Sequence, residues 1–386
     1  MTKSKIALLL SYICIASISA TIITPAFPKI QTVYHLSSES LEWVMSIFLI
    51  GYVVGQLIYA PIANRYGTLN ALRTGLIVNF VGILICLLAS TFLMNYSLLL
   101  FGRLISALGS ASGLVCTFIL INELLPPEEA KAAMAYSVIS FTVGIGLFIT
   151  IGSLLTQYAS WVDCFWVLLL QAIILFWCTW CFKENEQPKI PINLRTIFSR
   201  YVKAFSSGRL VIFALMAGVV SVYSYGYSTT ASLYSEINLH LSPSEYGYWS
   251  LSNTLGMLAG GFLSAQLIKK IGVQNTLFTG LMCMIPFLGS LFLISITHHG
   301  NVIWFFTTTM FLFVFTGLLF PTASYFASNA IDDRASASSA MSFINMGLAT
   351  LSTVVLGYLP FSSLLSFVIV LCVLFAVVSV LALRQI

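Results

Sequence analysis

Arg103 stands in "LLFGRLISALGSASG", a run with no other charge. A charged side chain at the centre of a bilayer costs about 2.5 kcal/mol or more, so such an arginine must face a protein interior or a wet cavity. Two roles fit: binding an anionic or acceptor-rich solute, or acting as a hydrogen-bond hub between helices. A second group is tyrosine-rich, "SVYSYGYSTTASLYSEI" at 221–237. At ~100° per residue, Tyr223, Tyr227 and Tyr234 fall within about 40° of one another. Aromatic faces carrying hydroxyls suit an amphipathic ligand. Packing aromatics are the plainer alternative, with Tyr234 in the aromatic belt at the outer membrane surface. The amides Gln56, Asn79, Asn122, Gln171, Asn253 and Asn345 are expected to bond between helices.

The acids offer less. Of the 12 Asp and Glu residues, none falls near the centre of an apolar run. Proton relays use intramembrane ionisable groups, so Glu123 and Asp163, near helix ends, are the fallback candidates for coupling. Their ordinary role is helix-end contact. No phosphate-cradling loop is present, so ATP-driven transport by this chain is not expected. No Ser–His pair or carboxylate pair suggests hydrolysis, so an enzyme is not expected. The eight cysteines lie mostly in apolar runs. Cys178 and Cys181 form a CxxC, but without partners at zinc spacing. Neither a metal nor a cofactor is expected.

The elements that must position these groups are membrane helices. The 386 residues are 59% hydrophobic and 8% charged, with mean hydropathy +0.98. About a quarter of an ordinary soluble domain is charged. Apolar runs able to cross a ~30 Å hydrocarbon core fall at 6–26, 41–61, 74–93, 98–121, 133–157, 163–182, 210–234, 246–268, 276–296, 302–326, 337–358 and 363–383, which makes an all-α membrane protein of twelve helices. The net charge of +5 is a topology signal, not a nucleic-acid one. With both termini cytoplasmic, every one of the 17 basic residues except Lys29 and Arg103 lies on the cytoplasmic side. Both termini are therefore expected in the cytoplasm, and the expected location is a bacterial inner membrane. The start, "MTKSKIALLLSYICIASISAT", has the basic-then-apolar form of a signal peptide. It is read as the first span, because losing it would leave eleven.

The chain also repeats itself. "GQLIYAPIANRYGTLNALRTGL" at 55–76 returns at a constant offset of 205 as "GGFLSAQLIKKIGVQNTLFTGL" at 260–281. Gly55, Gly67, Asn70, Leu72, Thr74, Gly75 and Leu76 face Gly260, Gly272, Asn275, Leu277, Thr279, Gly280 and Leu281. The longest polar stretch, 183–209, holds six basic residues and separates the halves. We expect a bundle of six helices at 1–182, a cytoplasmic loop at 183–209 and a second bundle at 210–386. Parallel repeats of this kind are built to rock around a midplane site.

These residues resemble the major facilitator superfamily, whose Gly-x-x-x-Asp-Arg-x-Gly-Arg-Arg signature is similar to the turn around Asn64, Arg65 and Gly67. Within it the chain resembles the bicyclomycin/chloramphenicol-resistance (Bcr/CflA) branch of drug:proton antiporters. "TPAFPKI" at 24–30 is similar to that branch's "LPALP", and "GQLIYAP" at 55–61 to its "GQLIYGP". Arg103 matches its fourth-helix arginine, "SWVDCFW" at 160–166 its "SWxxIFW", and "SPSEYGYWSLSN" at 242–253 its entry to the eighth helix. The resemblance covers nearly the whole chain in order. It implies two pseudo-symmetric six-helix bundles, and it places Gln56 and Asn253 on helices flanking the central cavity. It assigns gating to Asn64, Arg65 and Gly67, with Asp332 and Asp333 supplying negative charge at the same seam.

The departures are specific. Asn64 replaces the signature aspartate, and Thr68 and Leu69 replace its basic pair. Thr21, a substrate-site candidate, stands where the branch commonly has a first-helix acid. Ile145 and Ile149 stand in place of the antiporters' fifth-helix proline motif. The expected function is secondary active transport of a small organic solute, most readily efflux of a drug-like compound or of a secreted metabolite such as a siderophore. The alternatives are an importer or facilitator without proton antiport, and a transport-inactive sensor or assembly partner. The expected partners are the solute, protons if coupling survives, and the lipid bilayer. A monomer follows from the fold.

Overall fold

The computed structural model describes residues 3–183, 202, 205–297, 301–331 and 334–385, and these form helices and short connections without a strand. The chain divides into two units, Met1–Ile192 and Asn193–Ile386. In the first, α1 is Lys3–Thr21, a 3-10 turn spans Thr24–Ala26, and α2 is Phe27–Val33. Then come α3 (Ser38–Tyr66), α4 (Thr68–Thr91), α5 (Tyr96–Leu124), α6 (Pro127–Tyr158) and α7 (Asp163–Cys178), which ends in a 3-10 turn at Thr179–Cys181. The second holds α8 (Gly208–Ile237), α9 (Pro243–Thr297), α10 (Val302–Ser328), α11 (Arg334–Tyr358) and α12 (Ser363–Leu383).

Eleven of the described helical stretches are long and apolar enough to cross a membrane, with α9 taken as one and α1 running on through α2. At ~1.5 Å per residue the 55 residues of α9 would reach about 80 Å, far beyond a bilayer core. Gly272, at φ 82° and ψ 168°, breaks α9 into two arms, 243–271 and 273–297. Counted by arms, the described residues hold the twelve expected spans. Most of the apolar runs are shorter than their helices, the first, sixth and last excepted. Hydropathy marks the stretch in lipid, whereas the caps mark the helix: Ser37, Asn95, Ser207, Asn301 and Ser362 each accept a bond from a backbone N–H in the first turn.

The repeated turn is repeated in its bonds. Gly67, at φ 98° and ψ 147°, joins α3 to α4 as Gly272 joins the arms of α9. Such a backbone is open essentially to glycine alone. One turn later, the Asn70 amide donates back to the carbonyl of Tyr66 (3.0 Å), and Asn275 does the same to Ile271 (2.9 Å). Each asparagine thereby covers a carbonyl that a helix end leaves without a partner. Thr74 donates to Asn70 O at 2.9 Å and Thr279 to Asn275 O at 2.8 Å.

Close helix contact holds each unit together, because lipid supplies no hydrophobic force between helices. On α5, Gly109 lies against the backbone of Asn79 and Gly75 on α4, where any side chain would collide. Beside it, Asn79 donates to the Ser106 carbonyl (2.9 Å) and hydroxyl (3.0 Å). Gly55 on α3 meets the Leu108 carbonyl of α5, and its repeat partner Gly260 meets the Val314 carbonyl of α10. The "ALGSASG" segment is therefore a packing surface.

Candidate functional site

In the first unit the centre of interest is Arg103, 1% exposed. Its Nη1 donates to the carbonyl of Ser19 on α1 (2.6 Å) and its Nε to that of Val44 on α3 (3.4 Å). The guanidinium lies 4.3 Å above the Phe48 ring, a favourable cation–π position. The Ser19 carbonyl is accessible because α1 stops at Thr21 ahead of Pro25, and the last carbonyls of a helix have no helical partner. Arg103 thus ties α5 to the end of α1 and to α3. Its Nη2 has no hydrogen-bond partner among the described residues.

Thr21 lies two residues from Ser19 and is fully buried. Its hydroxyl donates to Ser17 O at 2.8 Å, and its carbonyl receives the Thr24 hydroxyl at 2.9 Å. Both groups are spent on closing the end of α1. Gln56 is half-buried; its side chain is hydrogen-bonded to Tyr52, and its Nε2 has no partner among the described residues. Thr21 thus lies two residues along the chain from the carbonyl that Arg103 holds, and Gln56 lies further along α3 than the Val44 carbonyl.

The proposed coupling acids sit at helix ends. Glu123, one residue from the end of α5, accepts the Thr68 hydroxyl at 3.3 Å. Asp163 opens α7 and accepts the Ser160 N–H at 2.9 Å. Every acid among the described residues lies within five residues of an end of its helix. Glu42 is buried near the start of α3. Asn64 and Arg65 are exposed at the end of α3, with the Arg65 guanidinium 5.3 Å from the Tyr66 ring. Asp332 and Asp333 lie outside the described residues.

In the second unit Tyr223, Tyr227 and Asn253 come together. The Asn253 amide donates to the Tyr227 hydroxyl at 2.6 Å, and Thr309 Oγ1 donates to Asn253 Oδ1 at 3.0 Å. The Tyr223 hydroxyl donates to the Thr309 carbonyl, also at 3.0 Å. This network joins α8, the first arm of α9, and α10. Aromatic rings enclose it: Phe313 lies 4.7 Å from Tyr223 and 5.4 Å from Tyr227, and Phe305 lies 6.2 Å from Tyr227. Tyr234 does not join an outer belt. It is buried with its ring 4.9 Å from Phe305, because the tyrosine face of α8 turns toward α10. Its hydroxyl is buried without a partner among the described residues.

Buried polar groups must find partners, and here they find one another. Tyr223, at 0% exposure, and Tyr227, at 2%, present no free surface. A solute can reach Tyr227 or Asn253 only if the rings that enclose them move aside. Thr309, Phe305 and Phe313 escaped sequence reasoning; the run "FFTTTMFLFVF" holds too many equivalent residues to single out three.

Residues 9–353 match the family model described as Major Facilitator Superfamily. The chain belongs to the major facilitator superfamily. Within this superfamily it is 22% identical over 363 residues to the uncharacterised MFS-type transporter YceJ of Bacillus subtilis (strain 168), covering 92% of this chain and 89% of that protein. It is 22% identical to a bicyclomycin resistance protein homolog of Haemophilus influenzae, over 70% of this chain and 67% of the relative. Its fold is that of the superfamily: a crystal structure of a D-xylose-proton symporter superimposes with TM-score 0.81 at 14% identity, covering 98% and 96% of the two chains. A bacterial homolog of the lysosomal transporter Spinster, in an inward-facing and occupied conformation, gives 0.73 at 15% identity and the same coverage. The protein is accordingly a multi-pass membrane transporter.

Proposed function

We propose that this superfamily member exports a small organic solute across a bacterial inner membrane by alternating access of its two bundles, with both termini cytoplasmic. The duplicated unit carries the reading: one glycine turn, with the same Asn and Thr bonds, occurs twice at one offset. Outward transport of a drug-like compound or secreted metabolite is supported by similarity to a bicyclomycin resistance homolog and to multidrug resistance protein 2 of Bacillus subtilis (strain 168), the latter 20% identical over 337 residues. Arg103, Thr21 and Gln56 in one unit and Tyr223, Tyr227 and Asn253 in the other are the proposed solute contacts. Asn64, Arg65 and Gly67, with Asp332 and Asp333, are proposed to gate. Glu123 and Asp163 are the proposed proton carriers.

A second reading, a facilitator without proton antiport, is favoured by the confinement of the described acids to helix ends. Reconstituted flux of a panel of amphipathic compounds, with and without a pH gradient, separates the two. Accumulation against a gradient only when ΔpH is imposed supports antiport, and equilibration indifferent to ΔpH supports facilitation. Absence of flux for every compound that binds would leave a transport-inactive sensor or assembly partner.

A further inference from the structure

Arg73, on the second turn of α4, is half-buried at the end of the first unit where α7 finishes. Two of its surfaces are occupied. Its Nε donates to Thr179 Oγ1 at 3.0 Å, and that hydroxyl is itself fixed by donating to Phe176 O at 2.8 Å. Its guanidinium carbon lies 4.7 Å from the centre of the Trp180 ring. Nη1 and Nη2 have no hydrogen-bond acceptor and no carboxylate among the described residues. They form a two-pronged fork whose direction is set by one hydrogen bond and one ring.

The surroundings say what meets that fork. Trp177 is 67% exposed and Trp180 is 53% exposed, their rings 5.4 Å apart, with Phe176 5.0 Å from Trp180. A pair of exposed tryptophans at the end of a membrane span marks the level of the lipid headgroups. Lys183, exposed just beyond the 3-10 turn, adds a second positive charge. The anion abundant at that depth is the phosphodiester of a phospholipid, and a guanidinium fork matches its two free oxygens.

We propose that Arg73, Thr179 and Trp180 form a binding site for an anionic phospholipid of the cytoplasmic leaflet. Its phosphate sits on the Arg73 fork and its acyl chains run along Trp177 and Phe176. The leaflet follows from the charge-based topology, whereas the site itself does not depend on the cargo or direction of transport. Thr179 and Trp180 hold the guanidinium in place; Arg73 and Lys183 supply the preference for anionic over zwitterionic headgroups.

The test is native mass spectrometry of the full chain in detergent, titrated with dioleoylphosphatidylglycerol and, separately, with dioleoylphosphatidylcholine. The expected result is tighter binding of phosphatidylglycerol, weakened about tenfold in Arg73→Gln, since a charge-assisted bidentate pair is lost. It weakens to a smaller degree in Trp180→Leu and is unchanged in Lys269→Gln, an exposed charge on the second unit. Unchanged affinity in Arg73→Gln, or an equal loss in Lys269→Gln, overturns the proposal. Displacement of the lipid by millimolar glycerol 1-phosphate would make this a soluble-anion site and overturns the lipid assignment. If Arg73→Gln does not fold, Arg73→Lys decides, since it keeps the charge and loses the fork: wild-type affinity overturns the proposal, and weakened affinity upholds it.

Discussion

The Asn253 amide lies 2.6 Å from the Tyr227 hydroxyl, a direct bond between α9 and α8 inside a ring of phenylalanines. Interhelix hydrogen bonds in membranes are worth about 0.6 kcal/mol on average and up to about 1.7. Being short and enclosed, this one should fall in the upper part of that range. A double-mutant cycle of Tyr227→Phe and Asn253→Leu, read by thermal or denaturant unfolding in detergent, should return a coupling of about 1–1.7 kcal/mol. Additive losses would show that the two residues do not act as a pair.

Arg103→Ala should reduce the stability of the protein itself. It removes charge-assisted bonds to two helix carbonyls and leaves a hole at the junction of α5, α1 and α3. We expect a loss of about 2–4 kcal/mol, seen as reduced yield of monodisperse protein and a lower melting temperature. Arg103→Lys should recover part of this, because a single ammonium reaches one carbonyl but not both. A variant that stays fully stable yet loses transport would instead make solute binding the residue's main work.

Gly67→Ala and Gly272→Ala should cost similar amounts, about 1–3 kcal/mol each, because both positions hold a backbone nearly closed to residues with a Cβ. At Gly272 no neighbouring atom lies near enough to oppose a methyl group, so strain alone sets the cost there. Melting curves of the two variants provide the comparison. Stability unchanged in either would mean that its turn relaxes without penalty.

Glu123→Gln keeps an oxygen that can accept the Thr68 hydroxyl, so folding should survive. If Glu123 carries protons, the variant loses ΔpH-driven accumulation while retaining counterflow of labelled solute. Loss of both activities together would assign Glu123 to the fold rather than to coupling.

Asn64→Asp restores an acid to the exposed end of α3. In the last turn of α3 an acid opposes that helix's own dipole, so a stabilisation must come from a positive partner elsewhere; at about 0.3–1 kcal/mol it would shift a two-state population by roughly two- to fivefold. We expect the resting population to move toward the outward-facing state, measured by thiol labelling of single cysteines from each side. An unchanged ratio would remove Asn64 from the gating set.

The fold was legible in advance because its causes are written in apolar runs and glycine punctuation. Gly67 and Gly272 could be paired by offset alone, and their backbone angles proved alike. The polar sites were less legible. Arg103 was visible as a lone charge, but its partners are carbonyls, which no sequence displays. Ser19 offers one only because the chain breaks before Pro25. Tyr223 and Tyr227 were found by angle, and Asn253 by resemblance, whereas Thr309 had no mark beyond being one threonine in a run of three. Depth within the protein was hardest to read: Tyr234 was assigned to a membrane surface because nothing in its own helix shows that α10 covers it.

The turns at Gly67 and Gly272 each spend a single residue between one helix and the next. A connection that short has no slack. An inserted tag or epitope cannot bulge outward there without unwinding helix on one side, so neither turn should accept one, and neither offers a protease an extended strand to cleave. The same economy bears on biosynthesis. The two helices that meet at each glycine form one hairpin with a rigid corner, so a fault in either arm as the chain is made should disturb the other arm with it.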